Sequence, residues 1–341
     1  MVQITTAEIT SVQLWESFLS HSPEAGFLQS WYWGEFHRRL DQTVIPLGLL
    51  VNHQLSGVSL CIVERAKRAS YLTIAAGPLL DWSQTSIATA WLGAIRRIAQ
   101  RESCAFIRVR PQLLENADSR TLFLQLGFTQ APIHLHAQLT HELDITKPEN
   151  ELLANMRKSA RYEIRKSQTD HIEVTVSDNP QDIDGFHALQ AETARRQGFV
   201  PFSLPFLKNQ FTVFAENGLA LLYSSYLKKA LLAQAFTIFY GPVAVYHYGA
   251  STALGRVHPG AYAIQWQAIC DAKKRGIKRY NFWGVAPAGD NTHRFAALST
   301  FKRGFGGVDV AYLPAHDLVI NPVKYAINHG IETFRKTIRR L

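Results

Sequence analysis

The residues that could carry chemistry are concentrated in the segment 279–307, which reads RYNFWGVAPAGDNTHRFAALSTFKRGFGG. An apolar run ends at Gly284, and a glycine there permits a sharp turn or a close approach of the backbone. Lys302 stands between a polar loop and a glycine-rich turn. It could supply a positive charge to a reaction, and the competing interpretation is a lysine that is solvated at a turn.

Two tyrosines form a second candidate group. Tyr246 and Tyr248 are separated by one residue in the apolar run 243–249. Strict alternation in a strand would place both on one face of a sheet. They could contact a substrate there, or they could pack in the core.

A basic stripe is predicted on a helix between residues 151 and 166. Its side chains are Arg157, Lys158, Arg161 and Arg165, within MRKSARYEIRK. The whole chain carries a net charge of +9, which favours polyanionic partners such as RNA or phosphates. A solvated basic face is the alternative.

Several common kinds of site are not indicated. There is no defensible Ser-His-Asp order, no P-loop and no zinc-ligand spacing, so we expect no metal site. The pair His134 and His136 lies in an alternating apolar sequence that is more typical of a strand than of a metal centre. The three cysteines are widely spaced in apolar patterns and are interpreted as buried thiols, at Cys61, Cys104 and Cys270.

The elements that must position these residues occur twice. Strand-like runs at 45–50, 58–63 and 71–75 precede a helical pattern at 86–101 and a closing strand at 105–109. The same order recurs at 219–226, 231–239, 243–249, 259–275 and 277–282. This predicts two α/β units, and the arrangement resembles the acyltransferase fold of the GNAT class in duplicate. Two unrelated α/β domains are the alternative.

Bulk properties agree with two domains of ordinary size. The chain has 341 residues, of which 47% are hydrophobic and 18% are charged. We expect domain 1 at 1–147, domain 2 at 148–319 and a C-terminal helix within 320–341 that packs on domain 1. No signal peptide or membrane span is recognised, so a cytoplasmic monomer is expected.

The order of several motifs resembles the Fem (FemABX) family of peptidoglycan-bridge aminoacyltransferases. Beside the C-terminal motifs NFWGV and FKRGFGG, the matching segments are 27–30 with Trp33, 71–78, 156–166, 246–251 and 312–319. The resemblance implies two GNAT-like domains with mixed sheets flanked by helices. Some members carry a long helical arm in the second domain, and this chain resembles the compact form without it.

The resemblance also implies an activity. Members transfer an amino acid from aminoacyl-tRNA, as co-substrate, to the stem peptide of a peptidoglycan precursor, and no other cofactor is expected. Lys302 matches a lysine that stabilises the tetrahedral intermediate or the departing ribose oxygen, and Phe301 is expected to shape the pocket beside it. Tyr246, Tyr248 and Trp283 match the region near the sugar-peptide substrate. The basic stripe is expected to meet tRNA or precursor phosphates.

Three positions depart from the family pattern. His37 stands where members have a lysine that contacts precursor phosphate, and Phe202 stands where they have an arginine. Arg110 replaces an acidic residue that is a candidate base, and an arginine cannot act as a base. The acceptor could therefore be a nucleotide-linked or a lipid-linked precursor, or a different amine, and a lipid-linked one would bring the protein to the inner face of the membrane.

Three other functions remain as alternatives. The first is an N-acyltransferase that uses acyl-CoA, although Gly255–Gly260 is a poor pyrophosphate cradle. The second is a non-catalytic RNA-binding protein, although no RNP-like aromatic pattern is present. The third is a ligase-like Fem relative that acts on exported polysaccharide.

Overall fold

The computed structural model describes the backbone of residues 3–339 and the side chains of residues 3–336. It divides the chain into two compact units. Unit 1 comprises Met1–Gln138 and Ala311–Leu341, and unit 2 comprises Leu139–Val310. Each unit has one mixed sheet with helices packed on it, which confirms the predicted α/β class.

The elements of unit 1 come from both ends of the chain. Its strands are β1 (Ile4–Glu8), β2 (Thr43–Val51), β3 (Gln54–Arg65), β4 (Ser70–Ala75), β5 (Leu79–Leu80), β6 (Phe106–Arg110), β7 (Thr129–Gln130) and β15 (His316–Val319). Its helices are α1 (Val12–Ser20), α2 (Trp31–Arg38), α3 (Thr85–Arg101), α4 (Ala117–Gln125) and α11 (Pro322–Arg339).

The sheet of unit 1 has the order β1-β2-β3-β4-β6-β15-β7, and β5 pairs with β3. Strands β2, β3 and β4 form an antiparallel meander, and α3 then leads to β6, which runs parallel to β4. The apolar stripe predicted for 86–101 packs on this sheet, with Trp91 and Ile95 fully buried. The parallel pair ends at Ala75 and Arg110.

The elements of unit 2 are continuous in sequence. Its strands are β8 (Leu139–Asp144), β9 (Glu173–Ser177), β10 (Ala220–Leu227), β11 (Ala230–Tyr240), β12 (Val243–Ser251), β13 (Arg279–Gly284) and β14 (Val308–Ala311). Its helices are α5 (Glu149–Asn155), α6 (Lys158–Thr169), α7 (Ile183–Gln197), α8 (Leu204–Ala215), α9 (Gly260–Lys274) and α10 (Ala296–Arg303).

The sheet of unit 2 has the order β14-β8-β13-β12-β11-β10-β9. The meander β10-β11-β12, the helix α9 and the parallel strand β13 repeat the unit 1 plan, so the predicted duplication is confirmed. Helix α9 packs its apolar face, including Ile264 and Ile269, against β10 and β11. On the other face of the sheet, Phe211 of α8 contacts Phe236 of β11 with ring centroids 5.0 Å apart.

The boundaries of the units differ from the expected 1–147 and 148–319 at both ends of unit 2. Strand β8 pairs with β13, so it belongs to the second sheet. Strand β15 pairs with β6 of the first sheet, so unit 2 ends before it. Both strands follow irregular segments and gain their partners only through long-range pairing, which local sequence patterns do not report.

The helix expected at 151–166 is instead two helices, so that expectation was wrong. Between α5 and α6, Met156 and Arg157 adopt extended backbone angles. The side chain of Met156 is buried in the core, and the Arg157 amide donates a hydrogen bond to the Gly304 carbonyl at 2.9 Å. These tertiary contacts stabilise the extended backbone between α5 and α6.

The C-terminal helix α11 packs on unit 1, as predicted for 320–341; residues 340 and 341 lie outside the described part of the chain. Its contact is an ion-pair cluster. Arg108 of β6 makes two bonds to Asp317 of β15, at 2.7 and 2.8 Å, and its Nη2 lies 2.8 Å from Glu332 of α11. The hydroxyl of Tyr325 also donates to Asp317 at 3.2 Å.

Candidate active site

The strongest candidate site lies where the two parallel strands of unit 2 separate. Strands β12 and β13 pair over only three residues, and the last pair is Val245 with Asn281. Tyr246 follows this pair on β12, and β13 continues to Gly284. The ends of the strands therefore form a fork whose backbone groups are not joined to each other.

Lys302 occupies this fork from the last turn of α10. Its side chain is only 5% exposed, and its Nζ donates a hydrogen bond to the Gly284 carbonyl at 2.7 Å. The ammonium also lies 5.8 Å from the centre of the Tyr246 ring. Burial lowers the pKa of Lys302 to about 7. No carboxylate among the described residues forms an ion pair with it.

The neighbouring Arg303 provides a contrast on the same helix turn. Its guanidinium is paired with Asp309, whose Oδ2 lies 2.6 Å from Nη2, and it also donates to the Ala286 carbonyl. Asp309 in turn contacts His141 at 2.7 Å. The charge of Arg303 is thus neutralised within the fold, whereas Lys302 contacts a carbonyl and an aromatic ring.

Tyr246 and Tyr248 lie on opposite faces of the sheet, so the expectation of a shared face was wrong. Tyr246 pairs with Thr237 and Tyr248 pairs with Phe236, which leaves His247 as an extra residue in a β-bulge. Because Phe236 and Thr237 are consecutive, their side chains and those of their partners point in opposite directions. The bulge therefore sends only Tyr246 towards Lys302.

Gly249 makes room for the Tyr246 side chain. A Cβ atom on Gly249 would lie 1.8 Å from the Tyr246 hydroxyl oxygen. Burial raises the pKa of Tyr246 to about 12, so the phenol stays protonated. The hydroxyl is therefore held over the strand as a neutral group.

Tyr248, Phe202 and Trp283 belong to an aromatic group that includes His247. The rings of Phe202 and Tyr248 are 5.0 Å apart, and those of His247 and Trp283 are 5.7 Å apart. Burial lowers the pKa of His247 to about 3, so this imidazole is neutral. Phe202 is 41% exposed, which makes it the accessible member of the group.

Trp283 has a left-handed backbone, with φ of 65°. This conformation is uncommon for a bulky residue. It is held by Asn281, whose side-chain oxygen accepts a 2.7 Å hydrogen bond from the Trp283 amide and whose amide group donates to Glu142. This strained backbone conformation changes the direction of β13 at its end and so helps to form the fork.

Phe301 packs beside Lys302 in the core of unit 2. Its ring lies 4.9 Å from that of Tyr262 on α9 and 5.3 Å from that of Phe305. These contacts fix the last turn of α10. A role for Phe301 in shaping the pocket remains a prediction.

The glycine-rich turn after α10 supports the break between α5 and α6. Gly306 and Gly307 both have positive φ, and a Cβ on Gly307 would lie 2.2 Å from the Glu142 carbonyl oxygen. A Cβ on Gly306 would lie 3.3 Å from the Asn155 carbonyl oxygen. The first residues of the basic stripe are thereby attached next to the turn that carries Lys302.

The basic stripe is exposed on α6 and at its start. Arg157, Lys158 and Arg165 are exposed, and Arg161 is half-buried. Arg161 donates to the Ala154 carbonyl at the end of α5. Three of the four side chains thus present their charge to solvent.

Two predicted substrate contacts, His37 and Arg110, lie in unit 1. His37 of α2 is 9% exposed, its Nδ1 contacts the Gln42 side-chain oxygen and its Nε2 is buried without a hydrogen-bond partner. Burial lowers the pKa of His37 to about 4, against the opposing effect of Gln42. Neutral His37 cannot replace the charge of a lysine.

Arg110 ends the parallel pair of unit 1. It is 3% exposed, donates to the Gln112 side chain at 2.8 Å and lies over the Tyr312 ring at 5.3 Å. Burial lowers the pKa of Arg110 to about 10, and no described carboxylate pairs with it. Gln112 also lines a cavity of about 650 Å³ beyond the end of this strand pair, together with Pro78 and Trp82.

Comparison with known proteins identifies the family of this chain. Residues 10–122, 124–229 and 219–333 match the FemAB family. This chain belongs to the FemAB family. Its resemblance to Fem proteins, inferred above from motif order, is thus confirmed.

Individual relatives agree with the family assignment. The chain is 30% identical over 92 residues to the aminoacyltransferase FemA of Staphylococcus epidermidis, a match that covers 27% of this chain and 22% of that protein. The chain thus spans about one fifth of the length of this curated relative.

Two solved structures share the fold of this chain. The crystal structure of FemX is 18% identical, with a TM-score of 0.85 over 95% of this chain and 99% of that one. A tandem GNAT protein from the clavulanic acid biosynthesis pathway is 9% identical, with a TM-score of 0.58 over 94% and 98%. The helices described in unit 2 have at most 15 residues, in agreement with the compact form.

Several groups of the candidate site were not identified by sequence reasoning. They include the Gly284 carbonyl, Gly249 and the bulged His247. The local signals were the two glycines, Gly249 after YHY and Gly284 at the end of an apolar run, since a glycine in a strand often marks a bulge or a close contact. Within the described residues no cluster of His, Cys, Asp or Glu is arranged to hold a metal, and no helix is suited to crossing a membrane.

Proposed function

We propose that this FemAB family chain is an aminoacyltransferase that moves an amino acid from aminoacyl-tRNA to an amine of a peptidoglycan precursor. The observation that carries the proposal is the buried Lys302 at the fork of β12 and β13, with no carboxylate partner among the described residues. The name of its FemA relative supports the reaction class. The donor, the acceptor and the roles of single residues are parts of this proposal.

The reaction is aminolysis of an ester. The amine nitrogen attacks the ester carbonyl carbon, its N–H proton is released, and the bond to the ribose oxygen breaks as that oxygen takes up a proton. Negative charge develops first on the carbonyl oxygen and then on the ribose oxygen. A buried ammonium stabilises such charge more strongly than it would in water, and Lys302 is assigned that role.

The state of Lys302 depends on its ligand. With a pKa of about 7, Lys302 is charged only part of the time at neutral pH when no anion is bound. An approaching anion raises the pKa of a neighbouring lysine because opposite charges favour the ionised form. The negative charge of bound tRNA would therefore complete the protonation of Lys302 when the donor is in place.

The basic stripe is assigned to phosphates of the donor. Arg157, Lys158 and Arg165 are exposed, and the Arg157 backbone is bonded to Gly304, two residues after Lys302. Phosphate contacts of this kind make binding depend on salt. Phe202, Tyr248 and Trp283 in unit 2, and His37 and Arg110 in unit 1, are proposed as acceptor contacts.

Replacing Lys302 tests the proposal directly. The protein is incubated with charged tRNA pools or with acyl-CoAs, each with nucleotide-linked and lipid-linked precursors, and label transfer to an amine is followed. Lys302→Met should lower kcat by about 100-fold or more while the fold is kept, because loss of one electrostatic donor costs about that much. The exposed Lys274→Met is the matched control.

The outcomes separate the alternatives. Transfer from charged tRNA that is lost in Lys302→Met supports the proposal. Transfer only from acyl-CoA, or normal turnover by Lys302→Met, contradicts it. Binding of tRNA without any transfer would favour the RNA-binding alternative.

The segment before α9 argues against acyl-CoA as donor. In a CoA-dependent enzyme of this fold, this segment would cradle the pyrophosphate. Here a Cβ on Gly255 would lie 2.0 Å from the Leu232 carbonyl oxygen, and one on Gly260 would lie 2.6 Å from the Leu232 side chain. Both glycines thus serve close packing against β11.

A further inference from the structure

Helix α11 has its polar and apolar faces in an unusual arrangement. The face packed on unit 1 carries Asn328 and Glu332, which are 4% and 7% exposed. The opposite face carries Val323, Ile327 and Phe334, which are 72%, 58% and 66% exposed. The helix is therefore attached by these polar residues and by the Tyr325 ring, which packs on Phe106 with centroids 5.4 Å apart, while Val323, Ile327 and Phe334 are left in water.

The exposed apolar residues form one stripe. With about 100° of rotation per residue, Val323, Ile327, Gly330 and Phe334 fall within about 40° of one line along the helix. Glu332 falls on the far side, where it meets Arg108. Burial of apolar surface against unit 1 therefore does not explain this stripe.

The exposed charges on α11 are all positive among the side chains that the structure describes. Lys324, Arg335 and Lys336 are exposed, while Glu332, the acidic residue of the helix, is buried in its ion pair. Lys324 and Arg335 lie about 100° around the axis from the stripe, both on the same side of it, so their long side chains can reach past it. Lys336 lies on the far side, near Glu332. An apolar stripe with a basic flank is the pattern of a helix that lies in a membrane interface.

We propose that α11 binds anionic lipid surfaces, with the stripe of Val323, Ile327 and Phe334 in the interface and the basic flank of Lys324 and Arg335 on the headgroups. No described helix is suited to spanning a bilayer, so the helix lies along the surface. A second copy of the chain is a poorer occupant, because two such helices would repel each other and three side chains fall far short of the roughly 800 Å² per partner in stable interfaces.

This inference is independent of the proposed reaction. Binding of α11 to lipid would bring unit 1 to the membrane surface on which any lipid-linked acceptor resides. A variant that cannot bind lipid should still turn over a soluble acceptor, so failure of one proposal can be distinguished from failure of the other.

Vesicle binding by the full chain tests the proposal. Sedimentation is measured with vesicles of phosphatidylglycerol and phosphatidylcholine, and with phosphatidylcholine alone. The chain should bind the anionic vesicles more strongly, and less at high salt. Ile327→Ser with Phe334→Ser should weaken binding by about tenfold or more. Leu124→Ser with Val257→Ser, at residues 69% and 72% exposed, is the apolar control and should bind normally.

Reversing the basic charges on α11 gives a second test of vesicle binding. Lys324→Glu with Arg335→Glu should weaken binding to anionic vesicles by about 25-fold or more, since each basic side chain contributes about fivefold near such a surface. Lys228→Glu with Lys229→Glu in the β10–β11 turn is the charge control. Equal binding by the α11 variants and the controls would overturn the proposal.

A fluorescent probe on the stripe reports whether the stripe enters the membrane interface. Phe334→Cys can be labelled with an environment-sensitive dye, because Cys61, Cys104 and Cys270 are buried. The emission should shift to the blue with anionic vesicles. An unshifted emission, or a concentration-dependent dimer without lipid that Ile327→Ser with Phe334→Ser abolishes, would contradict lipid as the occupant.

Discussion

Lys302 and Arg303 are adjacent basic residues with different roles. Arg303 is neutralised by Asp309, whereas the contacts of Lys302 are a carbonyl and an aromatic ring. A buried cation without a carboxylate destabilises a fold, because desolvation is not offset by an ion pair. Such a residue is more readily explained by binding of a charged ligand or transition state than by stability.

The stability of the fold should report the burial of Lys302. Its folded-state pKa is about 7, below the ordinary 10.5. The unfolded chain therefore binds more protons between these values, and stability rises with pH across that window. Below about pH 7 the burial penalty is fully present, and it disappears as the pH approaches 10.5.

Lys302→Met should therefore be more stable than the wild type at pH 7, by on the order of a few kcal/mol at about 1.4 kcal/mol per pKa unit. The gain should shrink steadily towards pH 10. Urea unfolding across this range measures it. The control Lys274→Met, at a side chain 71% exposed, should show little gain at any pH, and a pH-independent gain in Lys302→Met would contradict the burial argument.

At the scale of elements, β12 decides which side chains reach the fork. The bulge at His247 separates Tyr246 from Tyr248, and Gly249 leaves space for the Tyr246 ring. The end of β13 is set by Trp283, whose left-handed backbone is held by Asn281. The position of Lys302 thus depends on two irregular strands rather than on α10 alone.

Gly249→Ala tests the role of β12. The new methyl group would collide with the Tyr246 hydroxyl, so the ring must leave its place over Lys302. We expect a loss of stability of about 1–3 kcal/mol and a fall in kcat that exceeds the change in KM for the acceptor.

The matched control for this prediction is Gly185→Ala. A Cβ at Gly185, within α7, meets nothing within 4 Å. This change should stabilise the protein by about 0.5–1 kcal/mol through helix propensity. Similar effects of the two substitutions would show that the Gly249 contact is unimportant.

At the scale of the whole chain, each sheet is completed by a strand that is distant in sequence from its meander. Strand β15 and helix α11 of unit 1 follow the whole of unit 2 in the sequence. Arg108 joins these pieces through Asp317 and Glu332. The cluster is therefore the main polar link between the C-terminal segment and the sheet of unit 1.

Arg108→Met should destabilise unit 1 by about 3–5 kcal/mol, because it leaves two buried carboxylates without their cation. Helix α11 should also become more sensitive to limited proteolysis. Arg101→Met, which removes an exposed ion pair with Glu8, is the control and should cost less than about 1 kcal/mol. An unchanged rate of cleavage within α11 in Arg108→Met would contradict this role.

Much of the fold could be predicted from the sequence. The strands of both meanders and the helices α3 and α9 agree with their periodic patterns, because these segments bury a continuous apolar face. The C-terminal helix was also predicted from its period, but its apolar stripe is exposed. Lys302 could be selected by its motif. Strands β8 and β15 could not be assigned to their sheets, because their partners are far away in sequence.

The sequence by itself determined the duplicated α/β plan, the family and the candidate lysine, because each depends on local periodicity or on the order of short motifs. Only the tertiary structure decided that Tyr246 and Tyr248 part at a bulge, that the basic helix breaks at Arg157 and that Lys302 is buried without a carboxylate. The reason is that one inserted residue reverses a strand face, and that burial and charge pairing depend on neighbours which the chain brings together only on folding.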